Sequence, residues 1–336
     1  MADHTSRQLP LFPPEVDRSF SLLPAIGEQA DIRYFATRSR SVLNGPDVTG
    51  IEGYWTINPY VGCAFGCAYC YARYAHSYVM QRNAAADRLE DSLAIEFTQM
   101  PPWLAFERRI FIKRNAPEVL ARTLRQGGDK YLQLLHGQSI LIGSATDPYQ
   151  PAERTFRLTR QILEILADHP GLHIGIITKS PLITRDADVL RRIARISKLH
   201  VHISLITLNR ELARRIEPRA PTPDSRVRAL ERLRAAGIDV GINCMPVLPG
   251  ITDDPAALDA LVKRVAQAGA TNVASCALRL DRTARLRYFP FIQQEFPELA
   301  ARYHSSYAHG RSVGAKYRAG LARYMTTLCE KYGVAN

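Results

Sequence analysis

Cys63, Cys67 and Cys70 fall within eight residues, as Cys-Ala-Phe-Gly-Cys-Ala-Tyr-Cys, spaced Cx3Cx2C. Disulfide-stapled secreted domains distribute their cysteines through the fold, whereas thiols this close together suit a soft metal or an iron–sulfur cluster. Gly62 and Gly66 free the backbone to wrap an inorganic cube and to aim amide N–H groups at its sulfides. Three protein ligands leave one iron open, which is what a catalytic cluster needs. Zinc asks for a fourth ligand, usually from paired CxxC motifs. His76 is the nearby candidate for that ligand, so a zinc site stays open, as does a cysteine cluster without metal.

The elements around the cysteines set their context. Short β-rich runs at 53–58, 109–113, 139–143, 173–178, 200–205, 239–244 and 272–278 alternate with amphipathic stretches. One helix opens at Asn115-Ala-Pro-Glu118 with a capping-box pattern. Others cover 153–166, 186–196, 226–236 (stopped by Gly237) and 254–268 (closed by Gly269). Strand–helix alternation with β-branched strands predicts a parallel sheet. Six or seven such units would roll into a complete or partial barrel; a flat doubly wound sheet is the alternative. In barrels chemistry gathers at the C-terminal strand ends. Asn58, the cysteines, Lys113, Ser144 to Asp147, Lys179, Ser204, Asn243 and Cys244 all stand at such ends.

The chain has 336 residues, 46% of them hydrophobic, enough for a sizeable core and too many for a disordered chain. Its formal net charge is +12, from 44 basic and 32 acidic residues. That balance favours a polyanionic partner such as nucleic acid, although the arginines are spread along the chain and form no basic tail. The polar, Pro-containing start lacks the apolar region of a signal peptide, and no apolar run is long enough to span a bilayer. The expectation is a cytoplasmic protein with no membrane partner. Three regions are expected: an irregular N-terminal extension over 1–45, marked by Pro10, Pro13, Pro14 and Gly45-Pro46; a catalytic barrel over 46–282; and a helical C-terminal extension over 283–336, packed on the barrel.

The Cx3Cx2C spacing after the first barrel strand, with Tyr69 before the third cysteine, resembles the radical S-adenosylmethionine (SAM) superfamily. More narrowly, Asn58-Pro-Tyr-Val-Gly-Cys63 and Cys70-Tyr-Ala-Arg73 resemble its spore photoproduct lyase branch, whose relatives are described as DNA-repair-photolyase-like. The likeness runs from about residue 35 to 320 and loosens toward the C-terminus. It implies an α/β fold, a partial (β/α)6 TIM-like barrel. It also implies a 4Fe–4S cluster on Cys63, Cys67 and Cys70, with SAM as cofactor and a reductant such as flavodoxin or ferredoxin. The chemistry implied is one-electron cleavage of the sulfonium and hydrogen abstraction by a 5′-deoxyadenosyl radical, with nucleic acid as the candidate substrate.

The resemblance also assigns roles. Lys179 matches a strand-end lysine that contacts the methionine carboxylate, and Ser204 a serine that binds the cofactor. Ser144 and Tyr69 join them as cofactor contacts. Tyr71 matches a tyrosine proposed to relay a radical, and Asp147 is the candidate that touches cofactor or substrate beside it. Against these stand a solvated lysine, a satisfied barrel serine, a packing aromatic and a turn-capping aspartate. Ala145 occupies the position where the lyase carries its cysteine hydrogen donor, which removes the donor needed for thymine-dimer reversal. Cys244 and Cys276 are substitute donors or inert core thiols; Cys329 reads as structural. Glu217-Pro-Arg219 with Arg226 either holds cofactor or substrate or forms a salt-bridged surface loop. The segment His309 to Tyr317 offers phosphate contact and base stacking, or a solvated turn. Two other functions remain: a radical enzyme for a peptide, sugar or small metabolite, which Ala145 favours, and a non-catalytic metal-binding or redox-sensing protein.

Overall fold

The computed structural model describes residues 25–29, 31–46, 53–76, 95–96 and 99–336. Its strands are β1 (Ala25–Gln29), β2 (Ile32–Thr37), β3 (Leu43–Asn44), β4 (Tyr54–Ile57), β5 (Tyr60–Val61), β6 (Arg109–Lys113), β7 (Ser139–Ile142), β8 (His173–Thr178), β9 (Lys198–Ser204), β10 (Val240–Val247) and β11 (Val273–Ala277). They form two sheets, β3-β4-β7-β8-β9-β10-β11 and β1-β2-β6-β5.

In the larger sheet β4 and β7 to β11 run parallel, each paired with the next, and β3 closes one edge antiparallel to β4. Helices cross between the strands: Leu158–Leu166 after β7, Ala187–Ile196 after β8, Pro223–Ala235 after β9 and Pro255–Gln267 after β10. Successive strand side chains alternate faces. Ile174, Ile176, Leu199, Val201 and Ile203 are buried in one core with Ile162, Leu163, Leu166, Val189, Leu190 and Ile193 of the covering helices. The alternate positions Gly175, Ile177, His200 and His202 are only half-buried and turn to the opposite, concave face. This is the expected partial (β/α)6 barrel, with β3 and β11 as its edge strands and Ala335 bonded to Val273 and Thr271 along the β11 edge.

The strand over 109–113 departs from expectation. β6 does not enter the barrel; it pairs in parallel with β2 and antiparallel with β5 in the smaller sheet. A short apolar run shows that a strand exists but not which partner it takes, and Arg33 meets Arg109 only through a long excursion of the chain. The expected irregular N-terminus is corrected by the same pairing. Within 1–45, β1, β2 and β3 are strands, although Pro10, Pro13 and Pro14 lie outside the described residues. Turn-forming residues dominate that stretch of sequence, while the run Ile32–Thr37 is short and needs β6 to order it.

The capping box at Asn115 does not form. The Asn115 side chain accepts from Ser39 N–H (2.8 Å) and donates to the Ser39 carbonyl (3.0 Å), tying the helix start to the exit of β2. Asp254 and Asp281 do cap their helices, accepting from Ala257 N–H (2.8 Å) and Ala284 N–H (2.7 Å).

The C-terminal helices Arg282–Glu295, Pro297–Ser306 and Ala315–Tyr332 pack on the barrel through tyrosine hydroxyls. Tyr303 donates to Pro249 O (2.7 Å), Tyr307 to Leu278 O (3.0 Å) and Tyr317 to Asp253 Oδ2 (2.8 Å). Tyr317 is thus spent on docking. Among the described residues, no helix is long and apolar enough to cross a membrane.

Gly143 ends β7 where the site begins. Its φ is +95°, and a Cβ there would stand 2.5 Å from the Ile177 carbonyl and 2.7 Å from Pro148 Cδ. Gly143→Ala is expected to cost about 1–3 kcal/mol, the usual size of such backbone strain. Urea unfolding of the two proteins checks this; an unchanged midpoint would contradict it.

Candidate functional site

The loop from Gly62 to Cys70 lies beyond the ends of β4 and β5 and has no ladder of its own. Gly62 has φ +86°, and a Cβ on it would sit 2.7 Å from the Phe106 carbonyl. That carbonyl accepts the Cys63 N–H at 2.9 Å. Gln150 bonds the loop twice, accepting from Ala64 N–H (2.9 Å) and donating to Gly62 O (3.1 Å). Thr146 Oγ1 donates to the same carbonyl at 2.6 Å, and Ala68 N–H reaches Ile216 O at 2.9 Å. Cys63 and Cys67 are buried and Cys70 is half-buried.

Beneath the loop lies a buried charge cluster. Glu107 pairs with Arg73 (2.7 Å) and Arg219 (2.9 Å), with Arg287 at 3.6 Å. Arg73 also donates to the carbonyls of Cys67 (2.5 Å) and Trp103 (2.7 Å), and Arg219 to that of Ala64 (2.6 Å). Two guanidiniums therefore grip the cysteine loop from below, bridged by one carboxylate. Gly66, at φ +65°, leaves the room: a Cβ there would fall 2.5 Å from the Arg219 guanidinium.

The neighbouring strand ends form the mouth. Asn58 donates to Ser144 Oγ (3.0 Å) and accepts from Ala145 N–H (2.9 Å), and Lys113 reaches in from the smaller sheet to the Asn58 carbonyl (2.7 Å). Burial lowers the Lys113 ammonium to about 8. The Tyr71 ring is exposed, and its hydroxyl donates to the Ser144 carbonyl. Asp147 engages both oxygens, at the next strand end and in its own loop: Oδ1 accepts from Thr178 Oγ1 (2.7 Å) and Tyr149 N–H (2.9 Å), Oδ2 from Lys179 N–H (2.7 Å). Burial still holds its carboxyl above the ordinary range.

Glu217 is the second buried carboxylate. It accepts from the Tyr69 hydroxyl and pairs with Arg226, and Lys179 Nζ stands 3.8 Å away over the Tyr69 ring. Burial alone would raise this carboxyl, but Arg226 and Lys179 outweigh it and hold it below its usual range. Arg226 also donates to the Ser204 carbonyl (3.0 Å), joining Ser204, Tyr69 and Lys179 in one network. Glu217-Pro-Arg219 is therefore no exposed loop; it holds the cysteine loop and the mouth.

Burial pushes the Cys63 thiol up to about 12 and raises those of Cys67 and Cys70. Thiols so desolvated ionise when a cationic metal group compensates them. Three soft sulfur donors fit an iron–sulfur cluster. Among the described residues, no three His, Cys, Asp or Glu side chains converge on the point a single ion would occupy. His76, the fourth ligand considered for zinc, is fully buried, with its ring by Phe111 and its Nε2 2.9 Å from the Arg109 carbonyl. Cys244 is buried on β10 and Cys276 is exposed on β11; Cys329 is buried against Val273.

Spacing alone brought out the cysteines, and strand ends brought out Lys179, Ser204 and Ser144. Arg73 belongs to the Cys70-Tyr-Ala-Arg73 motif, but its grip on the loop does not show in the sequence; Gln150 and Glu107 have no such signal, because their partners lie far along the chain.

Comparison with known proteins places this geometry. The Radical SAM superfamily matches residues 57–261. An uncharacterized protein of Mycobacterium tuberculosis, Rv2578c, is 31% identical over 305 residues, covering 90% of this chain and 82% of the relative. An uncharacterized protein of Methanocaldococcus jannaschii, MJ0683, is 25% identical over 222 residues, 66% of this chain and 70% of its own. Among solved structures, a spore photoproduct lyase mutant with bound AdoMet and dinucleoside spore photoproduct superposes with a TM-score of 0.61 at 14% identity, over 89% of this chain and 79% of the other.

Removing one partner of a buried ion pair strands the other charge, at about 3–5 kcal/mol. Glu107→Ala is expected to lower unfolding free energy by about that much, because Arg73 has no water to turn to. Denaturant titration reads the effect; a loss below about 1 kcal/mol, the range of exposed pairs, would contradict the clamp.

Proposed function

Because the chain belongs to the radical SAM superfamily, we propose that Cys63, Cys67 and Cys70 hold a 4Fe–4S cluster that binds SAM at the barrel mouth, and that the enzyme acts on nucleic acid. The observation that carries this reading is the placement of three closely spaced thiols, two buried and one half-buried, on a loop at the C-terminal end of a parallel barrel. When bound, cluster and cofactor supply reductive sulfonium cleavage and a 5′-deoxyadenosyl radical that takes hydrogen from substrate.

The chain's own residues bind, orient and shield. Lys179 offers a point charge for the methionine carboxylate, and Glu217 keeps it ionised and in place. Tyr69, Ser144 and Ser204 line the cofactor side of the mouth. Asp147 acts through Lys179: with both oxygens engaged, it positions the end of β8 rather than moving a proton. Tyr71 stands exposed at the rim, where a hydrogen relay to substrate is open to it. The reductant is a flavodoxin or ferredoxin in a reducing cytoplasm.

Nucleic acid is favoured by the +12 charge and by the dinucleoside photoproduct in the similar lyase structure. Ala145 marks a limit. Without a thiol there, the reaction is not the lyase's thymine-dimer reversal with the same donor. That observation supports a second reading, the same radical chemistry on a peptide, sugar or small metabolite.

The deciding experiment is an anaerobic SAM-cleavage assay with dithionite in deuterated buffer, with and without ultraviolet-irradiated DNA. Wild type is expected to release 5′-deoxyadenosine, and Cys63→Ala, Cys67→Ala and Cys70→Ala are each expected to release none. Full activity in any of the three would contradict the assignment. Lys179→Ala is expected to weaken SAM binding roughly tenfold, the equivalent of one charge-assisted hydrogen bond, while the cluster's visible absorbance persists. Loss of the absorbance would show a folding role instead.

A further inference from the structure

The smaller sheet carries a cleft of about 490 Å³ lined by Arg38, Arg114, Asn115, Glu118, Val119 and Arg122. Arg38 and Arg114 follow the last residues of β2 and β6. Thr37 and Lys113 are register partners, and Arg114 N–H bonds Thr37 O at 3.0 Å, so the two arginines leave adjacent parallel strands at one level. Arg122 comes from the helix Ala116–Arg125, one turn beyond Glu118. The paired hydrogen bonds between Asn115 and Ser39 fix the two walls to each other.

All three arginines are exposed, and among the described residues none of them forms an ion pair. Several other arginines of this chain are spent on carboxylates, as Arg160 is on Glu164, Asp186 and Asp188. Three guanidiniums against the single Glu118 leave the cleft at +2. The cleft and the site share one strand exit: Lys113, next to Arg114 in the chain, bonds the Asn58 carbonyl, and Asn58 bonds Ser144 and Ala145 at the barrel mouth.

We propose that this cleft binds the phosphodiester backbone of the nucleic-acid strand whose reacting nucleotide enters the barrel mouth, an inference that rests on the nucleic-acid reading above. Planar guanidinium forks match phosphate oxygens, and contacts to phosphate set register and orientation without reading sequence. A single free phosphate would leave most of the volume empty. An acidic protein would need roughly 800 Å² of complementary face, more than a cleft of this size presents.

The test is fluorescence anisotropy of the reconstituted full chain with a labelled single-stranded DNA of about 16 nucleotides across a salt series. The variants are Arg38→Ala/Arg114→Ala/Arg122→Ala and a control triple, Arg191→Ala/Arg195→Ala/Arg228→Ala, of equally exposed arginines on barrel helices. The cleft triple is expected to lose at least tenfold in affinity near 0.1 M salt and to flatten the log–log salt slope by about 2, roughly 0.7 per lost phosphate contact. The control triple is expected to change the slope far less. If the cleft triple fails to fold by circular dichroism, Arg114→Gln alone should flatten the slope by about 0.7. Equal behaviour of the two triples overturns this inference and leaves the nucleic-acid reading standing. A wild type with no salt-dependent DNA binding overturns both. A cleft triple that loses only stabilisation by inorganic phosphate, or only reduction by flavodoxin, with DNA affinity intact, also overturns it.

Discussion

The loop from Gly62 to Cys70 buries two of its thiols and half-buries the third without forming a helix or a ladder, so its backbone must find hydrogen-bond partners elsewhere. Those partners come from every side: the Phe106 carbonyl, Gln150 and Thr146 after β7, the Ile216 carbonyl, and the guanidiniums of Arg73 and Arg219. The cysteines can therefore hold their places only if the smaller sheet, the β7 exit and the segment before Pro223–Ala235 are all in place. Fold and site are one construction at this point.

Two buried carboxylates, Glu107 and Glu217, carry much of that construction, and each collects cations that would be costly to bury alone. Glu107 draws Arg73 and Arg219 under the loop. Glu217 draws Arg226, Lys179 and the Tyr69 hydroxyl to the rim. Glu217 and Arg219 are two residues apart, so one short segment serves both the floor and the wall of the site. The arrangement keeps the Lys179 ammonium charged beside Glu217.

Much of this could be read in the residues themselves, and what could not follows a physical pattern. The cysteines stand out because their spacing is local. The barrel strands stand out because β-branched runs and capped helices alternate. The placement of β6 is not legible in the sequence, since a five-residue strand does not encode its neighbour. The Asn115 capping box looked complete, yet Ser39 outcompeted the helix for its side chain. Glu107 and Gln150 resemble ordinary surface residues in sequence and become site residues only when distant segments meet. For Asp147, two of the three bonds its oxygens accept come from the end of β8 and the residue after it, which its own segment does not encode.

The most direct measurement of the central claim is electron paramagnetic resonance of the anaerobically assembled, dithionite-reduced protein, recorded before and after SAM is added, with metal analysis of the same sample. The account predicts four irons per chain and a reduced-cluster signal that changes shape when SAM is present. Zinc in place of iron after oxygen-free assembly, or an iron–sulfur signal indifferent to SAM, would contradict it.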